Sequence, residues 1–244
     1  MLMKILLIRH AEPDYENNSL TEKGFREADM LAEKLKKCPI TDVYSSPISR
    51  AYKTAIVAAD ALGKKVDLLD WMQEFCGKLI DTNGSESIPW NQLPREWTCR
   101  PLIFNIDTWL MDSKMSSLDV PQKYKEVTDG LDELLKKYGY HREGVIYKCN
   151  ENMDITIALF CHFGVGMLLA SHLTGISPVL LWQSMFLPTS SVTTFVTEER
   201  VKGEVVFKCM QMGDTSHLYV KGEEISRSGL YPEFFGGDGC GPAV

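Results

Sequence analysis

Ile5-Leu6-Leu7-Ile8 in this 244-residue chain is apolar without any polar alternation, and Ile155 to Cys161 is a second apolar run. Short unbroken apolar runs predict strands buried on both faces of a parallel sheet. Each run stops at a histidine, the first in Arg9-His10 and the second in His162. In open α/β sheets ligands bind beyond the carboxyl ends of the strands, so an arginine and two imidazoles fall where such sheets carry chemistry.

Between these runs the spacing turns helical. Thr21 caps a helix with Phe25, Ala28, Leu31, Ala32 and Leu35 on its apolar face; Lys36 and Lys37 suit its C-terminal dipole and Pro39 stops it. Residues 11–20 are polar and turn-prone and form a loop at the mouth of the sheet. Asp42 to Ser45 is a short strand. Ser46-Pro47 follows as an N-cap with proline at the first helical position, opening a second helix that runs to about Leu62 and ends at Gly63. Ala51, Thr54, Ala55 and Ala58 give that helix a narrow face, and Arg50 lies in its first turn, near the positive end of the dipole. Val66 to Leu69 is another strand.

The pattern then weakens. Residues 76–121 hold Trp90, Trp97 and Trp109 among Pro89, Pro94 and Pro101, and an irregular stretch of that length predicts a cap insertion over the sheet edge. Helical spacing returns from Pro121 with Tyr124, Val127, Leu131, Leu134, Leu135 and Tyr138. Tyr140 to Lys148 suggests an edge strand and Asn150-Glu151-Asn152 a turn. Phe163-Gly164-Val165-Gly166 opens a helix to about Leu173. Val192 to Thr197 and Val205 to Met210, joined at Lys202-Gly203, predict an antiparallel hairpin. Residues 222–244, glycine-rich with Pro232 and Pro242, form an irregular C-terminal tail with no catalytic pattern. The whole is an α/β fold: a three-layer α/β/α domain over 1–244 with a mostly parallel central sheet, an antiparallel edge strand and a cap insertion.

Charge and composition narrow the chemistry. A formal net charge of -7 argues against a nucleic-acid partner, so an anionic ligand needs a local cluster of cations. Cys38, Cys76, Cys99, Cys149, Cys161, Cys209 and Cys240 are scattered without a C-x-x-C pair, which suggests free thiols in a reducing compartment and no zinc site. The opening apolar run is too short for a signal peptide, and no run reaches transmembrane length. The expectation is a cytoplasmic protein with no membrane or nucleic-acid partner.

Strand ends and helix starts thus supply two histidines, two arginines and a carboxylate. A phosphate monoester is dianionic, and transfer of its phosphoryl group spreads charge over three equatorial oxygens, which favours forked guanidinium donors such as Arg9 and Arg50. A neutral imidazole can attack phosphorus when its other nitrogen is tied to an acceptor, which makes His10 the candidate nucleophile and His162 a donor to a phosphate oxygen.

Arg9-His10-Ala11-Glu12, Leu20-Thr21-x-x-Gly24, Ser45-Ser46-Pro47-x-x-Arg50-Ala51-x-x-Thr54-Ala55, a glutamate after the next strand and a strand ending in His162 together resemble the histidine phosphatase superfamily, the phosphoglycerate-mutase-like family. The resemblance covers residues 3 to about 75 and about 155 to 218, where Gly213-Asp214-Thr215-Ser216-His217-Leu218 is similar to the family's closing segment. It implies a phosphohistidine on His10, a phosphoryl group held by Arg9, Arg50 and His162, and Glu74 as the acid that protonates the leaving group and later activates water. It also implies an asparagine against phosphate, Asn17 with Asn18 as the competing choice. It implies no cofactor and no metal. The chain departs from the family pattern at Ala11, where glycine is common, and at Phe163, which intervenes between His162 and Gly164.

Three readings follow. The first is a metal-independent phosphomonoesterase acting on a small phosphorylated metabolite. The second is a mutase-type phosphotransferase with the same phosphohistidine. The third is a non-catalytic phospholigand-binding module. An insertion with more acids than bases and three tryptophans suits a less anionic leaving group and favours the first. His141 and His172 are read as surface or helix residues, His217 as structural and the Cys161 thiol as inert. A homo-oligomer is left open.

Overall fold

The computed structural model describes residues 3–80, 84–150 and 154–230. In chain order the elements are β1 (Met3–Arg9), a small hairpin of β2 (Pro13–Asp14) and β3 (Ser19–Leu20), α1 (Glu22–Leu35), β4 (Asp42–Ser45), α2 (Ser49–Leu62) and β5 (Val66–Leu68). The insertion contains β6 (Leu79–Ile80), β7 (Glu86–Ser87), α3 (Pro94–Trp97) and 3-10 turns. Then come α4 (Val120–Lys136), β8 (Tyr140–Glu143), β9 (Ile146–Cys149), β10 (Ile155–Cys161), α5 (Phe163–Thr174), α6 (Pro178–Ser184), β11 (Val192–Val201), β12 (Glu204–Asp214) and α7 (Ser216–Lys221).

Eight strands form one sheet in the order β5-β4-β10-β1-β11-β12-β9-β8. The unbroken apolar runs are explained by its two covered faces. Met3, Ile5 and Leu7 of β1 pack with α4, α5 and α6, whereas Leu6 and Ile8 pack with α1 and α2. This is the three-layer α/β/α arrangement. Parallel pairing is confined to β5, β4, β10 and β1; the four remaining ladders are antiparallel. The sheet is therefore mixed, more so than a parallel sheet with one antiparallel edge. Two local causes account for the difference. Gly144, at φ 61°, folds the expected single strand over Tyr140 to Lys148 into the β8/β9 hairpin, and the β11/β12 hairpin pairs directly with β1.

Other departures are local. Phe25 is exposed, so the apolar face of α1 begins at Ala28. The second helix starts at Ser49 with Ile48 as its N-cap, two residues beyond the Ser46 expected in that role. The insertion is in large part core: Ile103, Trp109 and Met115 are buried, and Trp109 meets Tyr124 and Trp182 edge-on at 5.0 and 6.0 Å. An Arg100–Asp112 ion pair of 2.7 Å closes its far side. His172, on α5, lies 3.0 Å from Asp132, which also takes Arg142 and so fastens the β8/β9 hairpin to α4.

The Leu20-Thr21-x-x-Gly24 pattern has a steric cause. The Thr21 side chain accepts the Gly24 N–H at 2.9 Å and donates to Glu12, and a Cβ on Gly24 would stand 2.2 Å from the Glu12 carbonyl oxygen. Only glycine lets the loop after β1 lie on the start of α1. The six cysteines among the described residues are free, and no helix among those residues is long and apolar enough to cross a membrane. Part of the Asn150-Glu151-Asn152 turn, the tail beyond 230 and Cys240 lie outside the described residues.

Candidate active site

β1 and β10 run side by side in parallel with Arg9 level with Cys161, so His10 and His162 leave the sheet as neighbours. The His10 N–H donates to the Cys161 carbonyl at 2.9 Å, and the two imidazole centroids are 5.2 Å apart. On the other side of β10, the Ser46 N–H donates to the Phe160 carbonyl at 2.9 Å. Three adjacent strand ends thus deliver His10, His162 and Ser46 to one place.

His10 is buried, and its Nδ1 lies 2.8 Å from the Ala11 carbonyl oxygen. A carbonyl only accepts, so the proton sits on Nδ1 and the lone pair on Nε2. Arg50, in the first turn of α2, donates its Nε–H to that Nε2 at 3.2 Å. Burial holds the His10 pKa well below 6.5, and His162, Arg9 and Arg50 push it the same way, so the ring is neutral at ordinary pH. His162 is fully enclosed; burial and then Arg50 and Arg9 keep it neutral too. Its Nε2 is 2.8 Å from the Ser46 Oγ, which also accepts the Ile48 N–H at 3.2 Å, and its Nδ1 has no partner among the described residues. Ser46, expected as a helix cap, instead holds the second imidazole.

Arg9 is buried. Its Nη1 donates to the Leu187 carbonyl at 2.5 Å and its Nη2 to the Ser228 carbonyl at 3.3 Å, and the guanidinium lies 5.5 Å from the centroid of the Phe186 ring and 6.0 Å from that of Phe163. Ser228 belongs to the tail read as irregular. Residues 223–230 cross α1, where Lys23 and Arg26 pair with Glu223 and Ser226 donates to Glu12, and then reach Arg9. Gly229, at φ 87°, lets the chain approach: a Cβ there would stand 2.7 Å from the Arg9 Nη2.

Glu74 follows the short 3-10 turn after β5. Its Oε1 accepts the Phe75 N–H at 2.8 Å and, from the first turn of α5, the Val165 N–H at 3.0 Å. Both bonds fall on Oε1, which leaves Oε2 with no hydrogen-bond partner among the described residues. Burial raises the Glu74 pKa; the two N–H donors, Arg50 and Arg9 offset part of that rise. Gly164 makes the approach possible, since a Cβ on it would lie 2.6 Å from the Trp90 Nε1 and 2.8 Å from the Glu74 Oε1. The glycine at 164 is thereby explained. Phe163 turns its ring to Trp90, edge-on at 5.9 Å, and Gly164 receives the carboxylate.

Part of this group opens on a cavity of about 860 Å³, which the enclosed His162 and Ser46 do not line. Arg9, His10, Arg50 and Glu74 line it together with Trp90, Phe163, Trp182, Met185 and Phe186. Trp90 is the one tryptophan of the insertion on this wall. Asn17 is not brought here: its backbone and side chain both donate to Asp14, at 3.0 and 2.7 Å, on the exposed tip of the loop. Tyr15 from the same loop lines the cavity, its ring centroid 5.6 Å from the Arg50 guanidinium. Ser46, Tyr15, the Trp182–Leu187 stretch and the 227–230 segment are among the site's neighbours that sequence reasoning missed, and of these Ser46 carried a signal, its place in the motif. Chemically, the arrangement offers an imidazole lone pair, two guanidinium forks and a carboxyl with a raised pKa around one small volume.

Known proteins resemble this chain in sequence and in fold. Over 75 residues, 26% of this chain and 38% of the relative, the sequence is 47% identical to a 2,3-bisphosphoglycerate-dependent phosphoglycerate mutase of Thermoplasma acidophilum. Over 82 residues, 30% of this chain and 40% of the relative, it is 33% identical to putative phosphoserine phosphatase 2 of Hydrogenobacter thermophilus. The matches thus span well under half the length of these curated relatives. In fold, the chain is similar to a mycobacterial glucosyl-3-phosphoglycerate phosphatase, with TM-score 0.59 and 19% identity over 88% of this chain and all of the other. It is also similar to a phosphoserine phosphatase from Entamoeba histolytica, with TM-score 0.56 and 21% identity over 88% of this chain and 99% of the other. The model of the histidine phosphatase superfamily (branch 1) matches residues 5–208. Since that match runs from β1 into β12, through all three strand ends that carry the site, the chain belongs to the histidine phosphatase superfamily.

Proposed function

We propose that this protein is a metal-independent phosphomonoesterase that hydrolyses a small phosphorylated metabolite through a phosphohistidine on His10. The observation that carries the reading is the state of the His10 ring. Its Nδ1 proton is spent on the Ala11 carbonyl, its Nε2 lone pair faces Arg50, and its depressed pKa keeps it unprotonated.

In the first half-reaction the His10 Nε2 attacks phosphorus, the phosphorus–oxygen bond to the leaving group breaks, and protonated Glu74 gives its proton to the departing alkoxide. Arg9, Arg50 and His162 take the charge that gathers on the three phosphoryl oxygens. In the second, water attacks the phosphohistidine, ionised Glu74 accepts the water's proton, and phosphate leaves with the Nε2 lone pair restored. A carboxyl that is acid in one step and base in the next needs a pKa moved towards the working pH, the direction in which burial shifts Glu74.

The phosphotransferase reading uses the same steps, and one relative is named a phosphoglycerate mutase. The cavity favours hydrolysis: its walls beyond the phosphate pocket are largely aromatic and aliphatic, ill suited to retaining a small, highly anionic intermediate. Hydrolysis of 4-nitrophenyl phosphate in the presence of EDTA is the test. Turnover by the wild type that is abolished in His10→Ala is expected; absence of turnover, or undiminished turnover in the variant, rejects the reading.

A further inference from the structure

Arg9, Arg50 and Glu74 account for three of the four charged side chains on the cavity wall among the described residues. The fourth is Arg227. Its guanidinium has no hydrogen bond or ion pair among the described residues, although it stands in a segment that is firmly held. Ser226 donates to Glu12, the Ser228 N–H donates to the Ser226 Oγ at 3.1 Å, and the Leu230 N–H donates to the Arg227 carbonyl at 3.0 Å. The next residue, Ser228, gives its carbonyl to Arg9. An exposed, unpaired guanidinium is thus carried on an anchored backbone beside the phosphate pocket, on a wall whose one acid among the described residues, Glu74, is committed to the helix start of α5.

Resting on the phosphomonoesterase reading, we propose that Arg227 binds a second anionic group of the substrate. The substrate class is then a phosphomonoester with a carboxylate, or another acidic group, at the end of an apolar body. The phosphate lies on Arg9 and Arg50, the body against Trp90, Phe163 and Phe186, and the distal acid on Arg227. The forked donor geometry of arginine suits a carboxylate. An apolar wall between two cationic ends recognises a molecule with charges at both ends, and a neutral alcohol phosphate leaves the second end unused.

Inert ligands read this directly. Binding of benzylphosphonate and of its 4-carboxy, 4-carboxymethyl and 4-(2-carboxyethyl) derivatives is measured by calorimetry on wild type, Arg227→Gln and Arg227→Lys. In the wild type the best-fitting carboxylate binds about tenfold tighter than benzylphosphonate, the scale of one charge-assisted hydrogen bond in a solvent-reached site. Arg227→Gln brings the ratio close to one, and Arg227→Lys keeps part of it. A merely structural role would weaken all ligands alike and leave the ratio standing. No carboxylate advantage in the wild type, or one that survives in Arg227→Gln, overturns the proposal. Turnover of the corresponding phosphates is followed in parallel: its absence beside an intact binding ratio counts against the phosphatase reading alone.

Discussion

The Nε–H of Arg50 points at the Nε2 of His10 across 3.2 Å. With the Nδ1 proton directed to Ala11, that hydrogen bond lands on the lone pair that has to reach phosphorus. The same guanidinium therefore holds the nucleophile in place and must turn its donors to the phosphoryl oxygens as substrate arrives. Lysine offers charge without the planar fork. Arg50→Lys is expected to lower kcat/KM by roughly a hundredfold, with a melting temperature close to wild type, measured by steady-state kinetics and thermal unfolding. Wild-type kinetics in Arg50→Lys would mean that charge alone suffices.

Glu74 gives a pH prediction with a definite sign. Burial raises its pKa above 4.5, and the acid form is the one the first step uses. Hydrolysis of alkyl phosphates therefore declines as pH rises through that raised pKa, whereas activated aryl phosphates, whose leaving groups need little protonation, show a much weaker decline. Because the His10 pKa is depressed below 6.5, no loss of activity attributable to His10 appears as pH falls through 6.5. In Glu74→Gln the single-turnover formation of the phosphohistidine from alkyl substrates slows by about 10²- to 10³-fold, that from aryl substrates far less, and the alkyl pH limb of this step disappears. Equal losses of that formation rate on both substrate types, in paired single-turnover pH profiles, would count against Glu74 as the acid.

Ser46 acts through His162. Its Oγ lies between the Ile48 N–H and the His162 Nε2, so Ser46→Ala leaves a buried imidazole nitrogen unpaired and free to turn. A stability loss of about 1–2 kcal/mol is expected, with roughly tenfold lower kcat as the ring loses its orientation. Ser46→Thr, which keeps the hydroxyl, recovers most of both. Urea unfolding and kinetics on the two variants check this; an unchanged kcat in Ser46→Ala would show that His162 needs no such anchor.

The sequence made the site's frame legible because the frame rests on periodicity. β1 and β10 announced themselves as unbroken apolar runs, each ending in a histidine, and parallel register then brought His10 and His162 together. The antiparallel half was harder. β8 and β9 are joined by a single glycine-bearing turn that the hydrophobic pattern does not mark, and the pairing of β11 with β1 is a long-range choice. Asn17 lies apart for a related reason: its loop has the polar, turn-prone composition of a phosphate-side loop, and the local bonds to Asp14 hold it at the tip. The tail was illegible because it is held by isolated bonds, Ser226 to Glu12 and Arg9 to Ser228, which leave no repeating signal.

The covalent intermediate is the most direct test of the account. Protein mixed with a ³²P-labelled phosphomonoester is quenched within milliseconds in alkali, and the labelled peptide is mapped. The account predicts a phosphoryl group on His10 that is stable to base, labile to acid, formed without added metal and absent from His10→Ala. Rapid turnover by the wild type with no such adduct accumulating in Glu74→Gln on an activated aryl phosphate, whose first step needs little acid while water attack is slowed, or a label on any residue other than His10, would contradict it.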